Sequence, residues 1–308
     1  MNYLVIGAGG TGGPLAAYLA QAGEDVTVIA RGVHKAAIKR HGMVLETPHG
    51  AFSVPVSVCQ AEEYRGKPDV VFVCVKGYAL DGVIPFLQRI CTRDTIVIPL
   101  LNIYGTGARL QPCLPESLVT DGCIYIAGEI KAPGTIWLAG DIFRVVFGVR
   151  EQEEFRPQLE TICRDLCEAG VTGILSHKIQ RDAMQKFSFV SPMAACGLLH
   201  NAKAAQMQAQ GQARLDFICL VREVEAIAHA MNLSFERDLT EVNLNILDDL
   251  SPGASTSLKR DVDAGNPSEL DGLIFQVVRL GREYRIPVPL YTRVAEKMGF
   301  SVGEAAYD

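Results

Sequence analysis

Short apolar runs alternate with segments of helical periodicity along the first 176 residues. Runs rich in Val, Ile and Leu predict buried strands, and they lie at residues 2–7, 25–30, 69–76, 94–102, 117–128 and 170–176. Helical patterns lie between them, at residues 13–23, 79–91, 105–113 and 153–168. This alternation predicts a parallel sheet with helices on both faces, an α/β doubly wound fold of Rossmann type. The run at 132–148 is broken by turn residues and predicts an antiparallel appendage to that sheet.

From about residue 178 the strand pattern fades and helical periodicity replaces it. Apolar residues recur every three or four positions, as at Leu215, Ile218, Val221, Val224, Ile227 and Met231. We therefore predict two domains, a Rossmann-type domain over residues 1–176 and an all-helical domain over residues 177–308. Helices rich in Ala, Val and Leu also leave open a homodimer formed through the helical domain.

Composition narrows the class of protein. The 308 residues are 48% apolar and 21% charged with a net charge of −6, which is unlike a general nucleic-acid binder because such proteins neutralise phosphates with Lys and Arg. The pattern predicts no export signal, and no run approaches the roughly 18 apolar residues of a membrane span. Nine cysteines without a C-x-x-C pair indicate reduced thiols, and six scattered histidines indicate no metal site. We expect a cytoplasmic protein without a membrane, metal or nucleic-acid partner.

The stretch VIGAGGTGG carries the first candidate chemistry. Gly7, Gly9 and Gly12 form G-x-G-x-x-G between a predicted strand and a predicted helix, the context that a dinucleotide-binding turn requires. Gly7 permits the tight turn, Gly9 lets the backbone approach a pyrophosphate, and Gly12 lets the helix pack against the sheet. The predicted cofactor-binding turn consists of Gly7, Ala8, Gly9, Gly10, Thr11 and Gly12. The alternative is a glycine-rich turn without a ligand.

The end of the second predicted strand indicates which dinucleotide binds. An NAD site usually places a carboxylate there, to accept hydrogen bonds from the ribose 2′-hydroxyl. This chain has Arg31 instead, and a guanidinium pairs with the 2′-phosphate that distinguishes NADP. Lys35 and Lys39 add positive charge nearby. We predict NADP(H) as the cofactor; the alternative is that Arg31 is a solvated loop residue.

Polar residues at two other strand ends are further candidates. Lys76 ends the run VFVCVK, and Asn102 ends the run VIPLLN. Ligands of open α/β sheets bind outside the carboxyl ends of the strands, so both residues are expected on the cofactor side of the sheet. The alternatives are a solvated cap for Lys76 and a turn-stabilising role for Asn102.

The helical half contributes a lysine and an acid. Lys186 lies in an apolar run beside Phe187, where burial would lower its pKa toward that of a useful general acid; the alternative is an ordinary lysine whose stem packs on apolar surface. Further on, Ser257 lies in a polar loop and Glu269 near a predicted helix start, where a carboxylate also favours the helix dipole.

In order and spacing, these motifs make the chain similar to the ketopantoate reductase (2-dehydropantoate 2-reductase) family over nearly its whole length. The matching segments are GAGGTGG, IARGVHKAAI, VCVK, LLN, APGTI, QKFSF, STSLKRD, NPSELDGL and VVRLGREYRIPVP. The resemblance implies NADPH-dependent reduction of a small 2-oxo acid.

The resemblance also implies a role for each candidate residue. The glycine turn would hold the pyrophosphate, and Arg31 with Lys76 the 2′-phosphate. Asn102 would lie beside the nicotinamide ribose and touch the substrate, and Ala127 would offer a backbone contact to the cofactor. Lys186 corresponds to the catalytic lysine of the family. Ser257 corresponds to the serine that binds the substrate carboxylate, and Glu269 to the acid that assists the lysine.

The chain departs from the family pattern at two positions. The family usually carries asparagines four and eight residues after the lysine, where this chain has Val190 and Ala194. The resemblance implies reduction of ketopantoate. Val190 and Ala194 motivate the alternative, a related NADP-dependent dehydrogenase that acts on another small 2-oxo acid or an opine-like imine. A nucleotide-sensing protein without turnover is the third reading, and the presence of Lys186 with Glu269 argues against it.

Overall fold

The computed structural model describes residues 1–301, and its contacts divide the chain into two compact units. The first contains residues 1–101 and 105–183, and the second contains residues 102–104 and the chain from residue 184 onward. The division falls inside one long helix, Ile179–His200, rather than before it as the predicted domain boundary at 176 has it. The sequence did not predict that residues 102–104 belong to the second unit.

The strands belong to the first unit and form three sheets. In chain order they are β1 (Asn2–Ile6), β2 (Asp25–Ile29), β3 (Met43–Thr47), β4 (Gly50–Val54), β5 (Ser57–Cys59), β6 (Val70–Val73), β7 (Ile96–Pro99), β8 (Leu118–Val119), β9 (Asp121–Tyr125), β10 (Gly128–Ala132), β11 (Thr135–Leu138), β12 (Arg144–Gly148) and β13 (Thr172–Leu175). The largest sheet has the order β5-β2-β1-β6-β7-β8, and every pair in it is parallel. This confirms the predicted Rossmann-type sheet.

The helices surround this sheet and then form the second unit. They are α1 (Gly12–Gln21), α2 (Gly32–His41), α3 (Leu80–Ile90), α4 (Thr106–Leu110), α5 (Gln158–Glu168), α6 (Ile179–His200), α7 (Ala204–Gln208), α8 (Gln212–Ala230), α9 (Leu239–Asp249), α10 (Ser257–Asp263), α11 (Gln276–Glu283) and α12 (Pro289–Lys297). A π-helical turn, Asp271–Phe275, precedes α11. No helix in residues 1–301 is both long and apolar enough to span a membrane.

The predicted antiparallel appendage is two separate sheets. The hairpin β10–β11 joins β3 and β4 in a sheet of order β10-β11-β3-β4, while β12 lies between β13 and β9 in a third sheet. Strands β3 to β5 were not predicted, because β4 and β5 are largely exposed and lack the apolar runs that mark buried strands. Their role is to extend the sheets beside the glycine turn.

Burial of the strands explains the stability of the first unit. The side chains of Val5, Val28 and Phe72 on adjacent parallel strands are fully buried, and Leu15 and Leu19 of α1 belong to the same core. Helix α1 therefore packs in this core through Leu15 and Leu19.

The second unit is helical, as predicted, and its core includes the inner face of α8. Phe217, Leu220 and Val224 are buried on that helix, whereas Leu215 is 56% exposed. The predicted helical periodicity is confirmed by α8, and the buried side chains of this helix start at Asp216 and Phe217.

Candidate functional site

The turn between β1 and α1 has the geometry that a dinucleotide cradle needs. Gly7 adopts a φ of +105°, and a Cβ there would lie 2.8 Å from the Cys74 carbonyl oxygen. A Cβ on Gly12 would lie 2.8 Å from the Cys74 Cβ, so α1 starts in close contact with the sheet. At Gly9, by contrast, no atom of residues 1–301 other than those of its two chain neighbours lies within 4 Å of a Cβ position. The backbone at Gly9 is therefore open to a ligand, and the residues present fit a bound pyrophosphate.

The sulfur beneath this turn is a packing group. Burial raises the pKa of the Cys74 thiol well above its ordinary value, so the thiol stays protonated. Cys74 lies directly after β6, and its amide donates to the Ile6 carbonyl at 2.9 Å. It therefore supports the turn and supplies no nucleophile.

The sequence analysis missed the partner of Gly10. A Cβ at Gly10 would overlap the carbonyl group of Gly128, and a Cβ at Gly128 would overlap the Gly10 carbonyl oxygen. The two backbones thus meet at a distance that only glycine permits on both sides. Gly128, which is the first residue of β10 and follows Ala127, therefore forms one wall of the turn.

His34 links the turn to the β10–β11 hairpin. The Gly134 amide donates to His34 Nδ1 at 2.9 Å, so that nitrogen carries no proton. The opposite nitrogen, Nε2, then donates to the Ala8 carbonyl at 2.7 Å. A neutral imidazole thus connects two loops, a role that its place in the segment GVHK did not reveal because both partners are backbone groups.

Arg31 lies just beyond the end of the second strand. It is exposed, lies two residues after β2, and takes the N-cap position of α2 in extended conformation. The positive charge expected from Lys35 is offset, since its ammonium contacts both carboxylate oxygens of Glu63, at 2.7 and 2.5 Å. The contact of Arg31 with a 2′-phosphate stays a prediction.

The backbone hydrogen bonds of two further candidates of the first unit are defined. The Lys76 carbonyl accepts the Ala79 amide at 2.9 Å at the start of a 3₁₀ turn, and its side chain is half-buried. The Ala127 carbonyl accepts the Ala139 amide at 2.8 Å. The contacts of these residues to a cofactor stay predictions.

The second unit brings Lys186 and Asn102 together, although they are 84 positions apart. Lys186 Nζ donates to Asn102 Oδ1 at 2.7 Å. The lysine is half-buried on α6, beside the buried Phe187. This hydrogen bond places an ammonium and a carboxamide at one point, a combination suited to binding a carbonyl oxygen and the hydroxyl it becomes.

Ser257 and Glu269 belong to the same unit. Ser257 is the first residue of α10, whose N-cap Thr256 accepts the Lys259 amide through its hydroxyl at 3.2 Å. Glu269 is only 3% exposed, and its carbonyl accepts the Leu273 amide at 3.0 Å. Buried carboxylates are uncommon unless they are paired or hydrogen-bonded, and the role of Glu269 beside the lysine stays a prediction.

The two positions that depart from the family pattern lie on the helix of Lys186. Val190 is half-buried one turn after the lysine, and Ala194, two turns after it, is fully buried. Neither offers a hydrogen bond. Within residues 1–301 no group of three or more His, Cys, Asp or Glu side chains is placed to hold a metal ion.

The fold and its glycine turn are those of a dinucleotide-dependent oxidoreductase. A family model described as Ketopantoate reductase PanE/ApbA matches residues 3–152, and a model of its C-terminal part matches residues 178–300. The chain therefore belongs to the ketopantoate reductase family, and it is an NAD(P)H-dependent oxidoreductase that acts on a CH–OH group.

Individual relatives agree with this assignment. The chain is 26% identical over 298 residues to the uncharacterized oxidoreductase YkpB of Bacillus subtilis, with 96% of each chain covered. It resembles the crystal structure of 2-dehydropantoate 2-reductase from Methylococcus capsulatus with a TM-score of 0.85 and 24% identity, over 97% of this chain and 96% of that one. It also resembles a ternary structure of D-mandelate dehydrogenase with NADH and anilino(oxo)acetate, with a TM-score of 0.87 and 18% identity over 96% of each chain. These two structures support the fold.

Proposed function

We propose that the protein reduces 2-dehydropantoate (ketopantoate) to pantoate with NADPH, in the biosynthesis of pantothenate and coenzyme A. The observation that carries the proposal is the 2.7 Å hydrogen bond from Lys186 Nζ to Asn102 Oδ1 in a chain of the ketopantoate reductase family. It gives the lysine a fixed direction. The proposal places the protein in the cytoplasm, and leaves a homodimer through the helical unit to be tested by light scattering.

Lys186 supplies the acid chemistry in this proposal. When bound, the reduced nicotinamide supplies a hydride to the keto carbon of the substrate. The Lys186 ammonium hydrogen-bonds the carbonyl oxygen, stabilises the negative charge that develops there, and gives up a proton to complete the hydroxyl. The hydrogen bond to Asn102 Oδ1 orients the ammonium from one side.

The other residues bind and orient. Gly9 leaves room for the pyrophosphate, and Arg31 pairs with the 2′-phosphate. The Ser257 hydroxyl hydrogen-bonds the substrate carboxylate, and Glu269 tunes the lysine. Lys76 and Ala127 add contacts to the cofactor. This choice of NADPH rests on Arg31 standing where an NAD site usually has a carboxylate.

A second substrate class is favoured by a specific observation. Val190 and the fully buried Ala194 offer no side-chain hydrogen bond at the two positions after Lys186 where the family usually has asparagine, so polar groups of ketopantoate would lack these partners. One neighbour of the same fold is a D-mandelate dehydrogenase with anilino(oxo)acetate bound. A 2-oxo acid with a larger apolar substituent is therefore the alternative substrate, along with an opine-like imine. A protein that binds NADPH without turnover is the remaining alternative.

Oxidation of NADPH at 340 nm tests the proposal. Ketopantoate is compared with 2-oxo acids carrying branched aliphatic and aromatic substituents, each with NADPH and with NADH. The proposal expects the highest kcat/KM with ketopantoate and NADPH. A higher kcat/KM with an aromatic 2-oxo acid would replace the substrate but keep the reaction. NADPH binding without reduction of any 2-oxo acid would overturn the enzymatic proposal.

A further inference from the structure

We propose that Gly272 and Gln276 are positioning residues that set the hydrogen bond between Asn102 and Lys186. The proposal rests on the proposed function for its catalytic consequence. It starts from the segment Asn102–Tyr104, called here the 102–104 segment, which leaves the Rossmann-type unit after Leu101 and returns to it at Gly105. These three residues belong to the helical unit.

The first contact is between Ile103 and Gly272. Gly272 lies in the π-helical turn Asp271–Phe275, and a Cβ at this position would lie 2.6 Å from Ile103 Cγ1 and closer still to its Cδ1. Real Cβ atoms do not approach neighbours to that distance. The Ile103 side chain therefore occupies the space that a side chain at position 272 would need. Because Gly272 has no side chain, the middle residue of the 102–104 segment can pack against the π-helical turn.

The second contact fixes the end of the segment. Gln276 Nε2 donates a hydrogen bond to the Tyr104 carbonyl at 2.9 Å. The Tyr104 ring packs against the Phe187 ring, with centroids 6.2 Å apart. Phe187 directly follows Lys186 on α6, and Tyr104 lies two positions after Asn102. The contact between the two rings therefore joins the chain next to the lysine to the chain next to the asparagine. The hydrogen bond from Lys186 to Asn102 is thus one of several contacts that hold the segment.

The π-helical turn is itself tied to the helix that carries the lysine. Ser191 of α6 donates to the Leu273 carbonyl at 2.6 Å, and this carbonyl belongs to the widened turn, where the regular i to i−4 ladder is interrupted. Since the Ser191 hydroxyl has one hydrogen, it accepts from Tyr291, whose oxygen lies at 2.6 Å. Burial raises the pKa of the Tyr291 phenol well above its ordinary value, so the donor stays protonated.

These contacts link helix α6, the π-helical turn and the 102–104 segment to one another in a closed loop. Lys186 and Ser191 lie on one helix, Ser191 holds the π-helical turn, and the turn holds the 102–104 segment through Gly272 and Gln276. Neither Gly272 nor Gln276 is assigned a contact with substrate or cofactor. A shift of the segment would therefore change kcat through the direction of the lysine, because misplacement of a catalytic group by about 1 Å costs roughly 100-fold.

Adding a side-chain atom at position 272 and then removing side-chain atoms at position 103 tests the proposal. Gly272→Ala is expected to lower kcat by about 10- to 100-fold, and to weaken NADPH binding less than it lowers kcat, because the glycine turn is untouched and only the Asn102 contact to the cofactor is displaced. Ile103→Ala removes the three atoms that the new Cβ would meet. The double variant Gly272→Ala with Ile103→Ala is therefore expected to regain most of the lost kcat. Gln276→Leu, which keeps the size but removes the donor, is expected to lower kcat in the same way.

Gly281→Ala is the matched control for a merely structural effect. Gly281 lies in the adjoining α11, and its Cβ would lie 2.8 Å from Val288 Cγ2 and 2.9 Å from the Ile286 carbonyl oxygen. This variant is expected to lower the Tm without changing kcat. A loss of kcat in Gly272→Ala that the double variant fails to reverse, or that Gly281→Ala reproduces, would overturn the proposal.

A readout independent of turnover separates this proposal from the proposed function. Lysines are dimethylated with ¹³C-formaldehyde, and the Lys186 signal is assigned by its loss in Lys186→Arg. The signal is expected to shift in Gly272→Ala and in Gln276→Leu, and to return toward the wild-type position in the double variant. An unchanged signal in both single variants would overturn the positioning role. If wild-type protein reduces no 2-oxo acid and these shifts still occur, the proposed function fails while the positioning role stands.

Discussion

The glycine turn and the Asn102–Lys186 pair are built in different ways. The residues of the turn are local: its six residues, the strand before it and the helix after it are continuous in the sequence, although Cys74 and Gly128 pack against it from other parts of the chain. The pair depends on a contact across 84 positions and on a π-helical turn much later in the chain. Cofactor binding and acid catalysis should therefore respond to different substitutions.

The largest expected effect separates the two regions. Lys186→Ala should lower kcat by about 10²- to 10⁴-fold, the range that a positioned general acid contributes. The dissociation constant for NADPH, measured by quenching of protein fluorescence, should change little. Lys186→Arg keeps the positive charge but transfers a proton poorly, so it should also be slow. A kcat near that of the wild type in Lys186→Ala would remove the lysine from the chemistry.

Gly128→Ala should damage the turn from outside it. The added methyl meets the Gly10 carbonyl, a backbone group that cannot rotate away. Overpacking of this kind costs about 1–3 kcal/mol of unfolding free energy, and NADPH should bind more weakly because the Gly10 backbone of the turn is displaced. Urea unfolding and NADPH titration measure the two effects.

Gly82→Ala provides the control for this prediction. Gly82 lies in α3 with nothing within 4 Å of its Cβ position, so alanine should be tolerated or should stabilise the helix by about 0.5–1 kcal/mol. Equal losses in both variants would show that the Gly10–Gly128 contact has no special importance for the turn.

Arg31→Ala should change which dinucleotide binds. Loss of a charge-assisted hydrogen bond to the 2′-phosphate should weaken NADPH binding by about 10- to 100-fold, with NADH binding nearly unchanged. Arg40→Ala removes the same charge from the exposed end of α2 and should leave the ratio of the two affinities intact. An unchanged ratio in Arg31→Ala would mean that Arg31 is a solvated loop residue.

His34→Ala should have the smallest effect of the series. It removes the hydrogen bonds to the Ala8 carbonyl and from the Gly134 amide, each worth about 1 kcal/mol. NADPH binding should weaken several-fold while kcat at saturating NADPH is retained. A fall in kcat with unchanged NADPH affinity would contradict the division of labour between the two regions.

The sequence predicts most of what is local in this fold. The apolar runs at β1, β2, β6 and β7 and the glycine spacing identify the Rossmann-type sheet and its turn, because burial and backbone conformation leave a regular signature there. Strands β4 and β5 were missed because they are largely exposed and lack that signature, whereas β3, in which Met43 and Leu45 are buried, was overlooked because its apolar run is short. The pairing of Lys35 in α2 with Glu63 could not be predicted, because Glu63 lies 28 positions further along the chain.

The supports of the candidate site are harder to predict. Gly128 and Gly272 are single glycines without a motif, and their function appears only when another part of the chain is packed against them. Gln276 bonds to a carbonyl 172 positions away. Such contacts depend on tertiary structure, which neither periodicity nor spacing encodes. The roles of Lys186, Glu269, Ser257 and the cofactor-binding residues stay predictions until variants are measured.

A double-mutant cycle at Asn102 and Lys186 tests the central claim most directly. The kcat/KM for the 2-oxo acid is measured in wild type, Asn102→Ala, Lys186→Ala and the double variant. Residues that act through one hydrogen bond have non-additive effects, so the double variant should be no slower than Lys186→Ala within about threefold. Fully additive losses would contradict the account, because they would mean that the two residues, although 2.7 Å apart, act independently in the reaction.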